Sequence, residues 1–415
     1  MTIRVIAGVL GIVILALIGR ALLLELLVPR PTTSVLTHLI RVTTQAMISL
    51  TVRVVHQYPA QHRYLTGLGP MIVVGTLFVA VMGFLVGFAL VIYALDGGSA
   101  TQALLQAGSA LLTLGIVQVV DPGQVLVTLV AAFTGMVIIA VLVGYLLLLF
   151  TAYNAREAGV TKSAMWAGEP AWGPELLCRR ALAGNGPLDP QADGWIDWVC
   201  ELRVGQTTYP VLAYFRSAGP LRGWPTTLVA RLDAACLELA IVRHKHPGDL
   251  SALLAEGVQT MAVLRHNLTR RRRGSDGGST VAWPPLRAAG MKRPGEALYR
   301  AIRTDGQGST RFPDHPADRV SILSREEFDR AVELLQAAGI ELRDDRDGGW
   351  ERFRELRGQY EDNAYVIAER VHAVPAPWTG ARRVALPTIW PTVAVELLDD
   401  AAGTHEGPAL DAGPS

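Results

Sequence analysis

Charge is nearly missing from the first 153 residues of this 415-residue chain. They hold six arginines (Arg4, Arg20, Arg30, Arg41, Arg53, Arg63), three acids (Glu25, Asp96, Asp121) and no lysine, against 38 Lys+Arg and 37 Asp+Glu overall. The net charge of +1 excludes a polyanion binder driven by bulk charge, so no nucleic-acid partner is expected. Cysteine is scarce too. Cys178, Cys200 and Cys236 form no Cys-x-x-Cys, which excludes a disulfide framework and suggests buried thiols on the reducing side of a membrane. No Gly-x-Gly-x-x-Gly follows an apolar strand, and neither a phosphate-binding Gly-x-x-x-x-Gly-Lys-Ser/Thr nor a His-Glu-x-x-His occurs. No Ser/His/Asp or Cys/His set stands out, so the chain is not read as an enzyme, and no catalytic residue is assigned.

Apolar residues are plentiful instead. They make up 50% of the sequence, with a mean hydropathy of +0.29. A soluble protein rarely shows that, while the stretch after Asn154 has an ordinary charge density. The pattern predicts a membrane domain followed by a soluble one. Residues 1–29 form a first span, with a signal peptide as the rival reading. Met71–Leu95 is an uncharged second span, begun by Pro70 and stopped by Asp96-Gly97-Gly98, giving an outer helix over 70–95. Gln124–Tyr153 is a third, giving an inner helix over 124–153. Residues 30–69 carry Arg41, Arg53 and Arg63 with no acid, and the segment between the two long spans carries Asp121 with no Lys or Arg. The first loop is therefore expected in the cytoplasm and the second outside, with the C-terminal domain cytoplasmic and the protein in the inner (plasma) membrane. The linker 30–69 is either an amphipathic surface helix or a polar connection.

Between the long spans, Ser99–Leu112 is uncharged and long enough, as a helix, to cross only half a bilayer. Thr113-Leu114-Gly115-Ile116-Val117-Gln118 follows, and Asp121-Pro122-Gly123 turns the chain into the last span. A half-span helix, an extended segment and a return to the same side describe a re-entrant loop; an ordinary outside loop is the alternative. This arrangement resembles the pore-loop potassium channels with one outer helix, one pore loop and one inner helix per subunit. Their filter reads Thr-Val-Gly-Tyr-Gly-Asp, and its backbone carbonyls replace the ion's water shell. Thr113 and Gly115 match it, Leu114 stands for Val, Ile116 for the aromatic residue, Val117 for the second Gly and Gln118 for the acid. The resemblance covers about Met71 to Arg156. It implies a conduction filter at Thr113, Leu114, Gly115, Ile116 and Val117, and a candidate gating hinge at Gly135 in the inner helix. It further implies a homotetramer in lipid, and a permeating monovalent cation, potassium, in place of any cofactor.

In the tail, helical spacing marks Glu175–Ala183, Trp195–Arg203 and Leu228–Arg243, the last with Leu228, Leu232, Cys236 and Ala240 on one face. Tyr209–Ser217 is an aromatic-rich turn into a short helix. His244 and His246 at i, i+2 do not share a helix face, so no metal site is expected. Arg270–Arg273 runs into a Gly/Ser-rich linker over 274–290. Arg325–Ala338 and Trp350–Val371 are expected helices, with the acidic turn Asp344, Asp345, Asp347 between them. Residues 404–415 have the composition of a disordered end. The expected architecture is an all-α membrane protein: a pore-loop ion-channel transmembrane domain (70–154) with an additional N-terminal helix, plus a mostly helical cytoplasmic domain in two regions, 155–273 and 291–403. The expected activity is passive cation conduction gated by a cytoplasmic domain of unknown ligand. The alternative is a membrane-anchored, non-conducting sensor or scaffold whose tail binds partners.

Overall fold

The computed structural model describes residues 2–26, 46–48, 50–51, 54–55, 58–185, 192–243, 248–269, 321 and 323–379. Most of the 30–69 linker's first half, the His244/His246 pair, the Arg270–Arg273 block, the 274–290 linker and the 404–415 end lie outside these residues. The described residues are almost entirely helical, with one isolated antiparallel bridge, Val242–Leu342, and no strand. Three helices are long and apolar enough to cross a membrane, over Thr2–Leu23, Ala60–Asp96 and Pro122–Ala167. The chain divides into two compact units.

The first unit comprises Met1–Thr51, Tyr64–Asn154 and Gly205–Phe215. Helix α1 (Thr2–Leu26) packs antiparallel on a long helix reached through α2 (Tyr58–Thr66). That helix, α3 (Leu68–Asp96), holds Pro70 in its first turn, where the missing N–H has no intrahelical partner to lose. Arg4 donates to the Gly97 carbonyl at 3.1 Å, fixing the N-terminal end of α1 beside the C-terminal end of α3. Along the seam the backbones come close. A Cβ added at Gly11 would lie 2.8 Å from the Gly87 carbonyl oxygen, so small residues set the spacing of the pair. Helix α4 (Ala100–Leu111) opens on a capping box in which Ser99 Oγ accepts from Gln102 N and Gln102 Oε1 accepts from Ser99 N. Helix α5 (Pro122–Ala167) follows. Phe84, Phe88 and Ile92 of α3, Ala103, Ala107, Ala110 and Leu111 of α4, and Ala131 and Ile138 of α5 form one buried core. The run of alanines lets the short helix sit close against its two neighbours.

The expected inner helix ends at Tyr153, but α5 continues to Ala167. Hydropathy drops at Asn154-Ala155-Arg156-Glu157, yet these are residues a helix accepts, so the drop does not end the element. Tyr209–Phe215 belongs to this first unit, with a 3₁₀ turn over Pro210–Tyr214. Leu212 and Phe215 are buried with Leu149, against Val73, Tyr145 and Tyr153. Tyr209 meets Tyr145 edge-on at 5.6 Å between ring centroids.

The second unit comprises Val52–Arg63, Ala155–Val204 and Arg216–Ser415. Its helices are α6 (Gly173–Leu182), α7 (Ala192–Thr208, the end of which enters the first unit), α8 (Trp224–Ile241), α9 (Gly248–Thr269), α10 (Arg325–Ala337), α11 (Arg346–Gly358) and α12 (Glu361–Arg370). Stretches from both sides of the expected linker thus pack into one body. The sequence predicts a single apolar face for α8. Instead nearly every residue from Trp224 to Ile241 is buried, Arg231, Asp233 and Glu238 included, because α6, α9, α11 and α12 surround it. Asp233 is admitted by pairing. Arg357 Nε donates to Asp233 Oδ1 at 2.9 Å, Arg357 also pairs with Glu361, and the Tyr360 hydroxyl donates to Asp233. The expected helix Trp350–Val371 is two, broken at Gln359 and Tyr360, where Tyr360 turns in to reach Asp233. All three acids of the turn are engaged. Asp345 caps α11 by accepting from Gly348 N, Asp344 pairs with Arg243, and Asp347 pairs with Arg325.

Cys178 and Cys236 are buried and Cys200 is partly exposed. Burial, reinforced by Glu175, pushes the Cys178 thiol up to about 12. Burial, reinforced by Asp233, pushes Cys236 up as well. Thiolate is the reactive form, so both are inert in the folded chain. A disulfide reagent at pH 8 is expected to modify Cys200 at most in the native protein and all three thiols after denaturation. Fast labelling of Cys178 or Cys236 without unfolding would contradict the packing described.

Candidate functional site: the loop between α4 and α5

Helix α4 stops at Leu111, and Leu112 to Asp121 run without regular structure into α5. Two residues in this stretch have left-handed backbone, Thr113 at φ 54° and Gly115 at φ 65°. Glycine adopts such an angle freely, and an added Cβ at Gly115 would meet nothing within 4 Å. Threonine does not. A β-branched residue at positive φ is an outlier costing on the order of 1–3 kcal/mol, held only where surrounding contacts over-determine it.

Those contacts converge on Ser109, which is buried in the last turn of α4. Its Oγ accepts from Ile116 N at 2.8 Å and from Val117 N at 3.4 Å, while its carbonyl accepts from Leu114 N at 2.8 Å. Across a trans peptide the C=O points opposite to the N–H. Drawing the N–H groups of 114, 116 and 117 back onto Ser109 therefore turns the carbonyls of Thr113, Gly115 and Ile116 away from α4. The Thr113 hydroxyl donates to the Leu112 carbonyl at 2.8 Å. The alternation of left-handed angles stops there: Val117, in the place of the resembled family's second glycine, does not have positive φ.

Thr113, Leu114, Gly115, Ile116 and Val117 are thus contiguous on one exposed loop, with Ile116 74% and Leu114 58% accessible in the single chain. Gly135 lies elsewhere. It is buried within α5 against the end of α4, where an added Cβ would fall 1.9 Å from the Leu111 carbonyl oxygen. The helix runs through it without interruption, and what glycine supplies there is close approach. Gln106, also buried, ties α4 to α5 by donating to Thr128 Oγ1 at 3.1 Å. At the far end of the loop Asp121 accepts from Gln124 N, capping α5, and Gln124 Nε2 donates to Asp96 at 2.9 Å, joining the ends of α3 and α5. Asp121 is therefore committed to a helix cap.

Ser109 and Gln106 are missed when the loop is read for its Thr-x-Gly triplet alone. A signal for them exists: Gln102, Gln106, Ser109 and Thr113 recur at spacings of four, three and four, a polar stripe along an otherwise apolar half-helix. Comparison with protein-family models, with curated proteins and with solved structures finds no match to the chain.

Proposed function

We propose that four copies of the chain surround an axis and that their Leu112–Gln118 loops line a path for monovalent cations, with potassium the cation the sequence resemblance suggests. One observation carries the reading: Thr113 is held at positive φ two residues before Gly115, with Ser109 drawing in the N–H groups so that the Thr113, Gly115 and Ile116 carbonyls turn outward together. Carbonyls freed from their own chain and aimed the same way are what coordination of a dehydrated cation requires. Non-helical backbone at membrane depth survives only against protein or a watery cavity, and a ring of copies supplies both. Leu104 and Leu105 of α4 and Leu126, Leu129, Phe133 and Met136 of α5 are exposed in the single chain, an apolar surface for neighbouring copies and lipid to cover. A single loop cannot enclose an axial path, which argues for a closed cyclic assembly. The second unit would then act as the cytoplasmic regulator.

Mass measurement in native nanodiscs is expected to give a tetramer, and purified protein in liposomes to pass potassium down its gradient. A stable monomer or dimer would overturn the carbonyl-ring mechanism. A tetramer without flux would leave the membrane-anchored scaffold in its place. Ser109→Ala removes the acceptor for Ile116 and Val117 N–H. It is expected to keep the assembly and to lower flux at least tenfold, since the loop then loses the bonds that orient its carbonyls. Unchanged flux would show that the Ser109 hydroxyl does not hold the conducting conformation.

A further inference from the structure

Arg231 lies in the middle of α8 and is 1% exposed. Its guanidinium stacks 3.3 Å from the Trp195 ring centroid, and its Nε donates to Ser163 Oγ at 3.2 Å. Both terminal nitrogens, Nη1 and Nη2, are buried with no hydrogen-bond partner among the described residues. Among the described residues no carboxylate pairs with it. The charged group acting on it is a second cation, Arg180 of α6, which itself faces the buried Glu238. Among the described residues, no counter-charge is hydrogen-bonded to the Arg231 guanidinium. Burial and Arg180 together pull Arg231 well below the ordinary arginine range, yet a guanidinium does not give up its proton in a protein. A neutral hydroxyl and an aromatic face do not replace a counter-charge, and an unpaired buried ion is what folded proteins avoid.

We propose that the second unit binds a small oxyanion on the Nη edge of Arg231, beside Arg180. The guanidinium fork presents two parallel N–H groups there, and the group that matches them carries two oxygens on one centre, as in inorganic phosphate or a short carboxylate. Exposed Lys162, whose Nζ lies 5.7 Å from the centroid of the same Trp195 ring, adds a further positive charge nearby. Stacking on Trp195 makes tryptophan fluorescence a direct reporter. Anion binding here stands or falls separately from conduction by the first unit.

The full chain in detergent is dialysed into chloride and titrated with inorganic phosphate or with acetate at constant ionic strength, following tryptophan fluorescence and thermal unfolding. One of the two is expected to give a saturable signal and a rise in Tm, or else about one equivalent of phosphate or carboxylate is expected to remain bound and to be released on denaturation. R231K keeps the charge but loses the fork, and should weaken the apparent affinity at least tenfold or abolish retention. R231M should abolish both, and R231K decides the matter if R231M does not fold. Identical behaviour of R231K and the parent overturns the proposal. So does a response that chloride reproduces, or one that is absent together with any retained anion, which leaves Arg231 with water alone.

Discussion

Gly115→Val is expected to abolish potassium flux from liposomes, and Val117→Gly to shift the reversal potential under a potassium/sodium gradient toward potassium. Space within the chain does not decide the first, since a side chain at 115 meets no neighbour. The backbone angle does. At φ 65° a β-branched residue is disfavoured by about 1–2 kcal/mol or more. Thr113, two residues earlier, already carries the same strain, and Ser109 is the one anchor for both N–H groups that follow. Adding a second strained residue favours rotation of the 115–116 peptide, which turns the Gly115 carbonyl back toward α4. Gly115→Ala, with less crowding at Cβ, should retain part of the flux. At 117 the argument reverses. Valine keeps negative φ and ends the alternation, and glycine there lets one more carbonyl join the row. If Gly115→Val conducts like the parent, the Thr113–Val117 loop is not the path.

Arg357→Leu is expected to destabilise the second unit by about 3–5 kcal/mol, the usual penalty for leaving buried charge uncompensated. For a body of this size that is a fall in Tm of roughly 10 °C. Arg357 is fully buried and is held by Asp233, Glu361 and the Ser321 hydroxyl, from three separate parts of the chain. Removing it strands two carboxylates. Burial pushes the Asp233 carboxyl above its ordinary 3.8, and Arg357 is the main influence pulling it down. Without the arginine the folded-state value rises further. A carboxyl raised on folding stabilises fully below its unfolded value and loses that contribution as the pH rises through the folded value. The deficit of Arg357→Leu should therefore be largest near neutral pH and shrink as the pH falls toward about 4. Thermal unfolding of parent and variant between pH 4 and 8 checks this. A deficit independent of pH would mean that packing, not charge, is what Arg357 supplies.

The three long apolar helices were legible because runs of that length with almost no charge have few other uses. The half-helix was legible too, from its length and its flanking turns. What escaped was set by residues far apart in the chain. Asp233 and Arg357 are 124 positions apart, and nothing near either one announces that a charged α8 is buried on every side. The same pairing explains the break at Tyr360, since a local pattern of apolar spacing continues across it. The expected inner helix ends at Tyr153, fourteen residues before α5 ends at Ala167, because hydropathy reports the surroundings and not the backbone. At the loop, the Thr-x-Gly triplet points to Thr113 and Gly115. The serine that orients them sits in the preceding helix, where a lone hydroxyl ordinarily means little.

The first unit is assembled from three separate lengths of chain, the last of them Gly205–Phe215. Cutting after Asn154 does not excise it. Such a truncation strips Tyr145 of Tyr209, and Leu149 of Leu212 and Phe215, baring an aromatic strip on α5. The boundary after Asn154 is therefore not a place where recombination could exchange one tail for another. A transplanted tail would have to bring its own equivalent of Tyr209–Phe215, or the donor fragment would have to begin after Phe215 and leave α7 behind. In this chain heredity of the two units is joint: they are not modules in sequence.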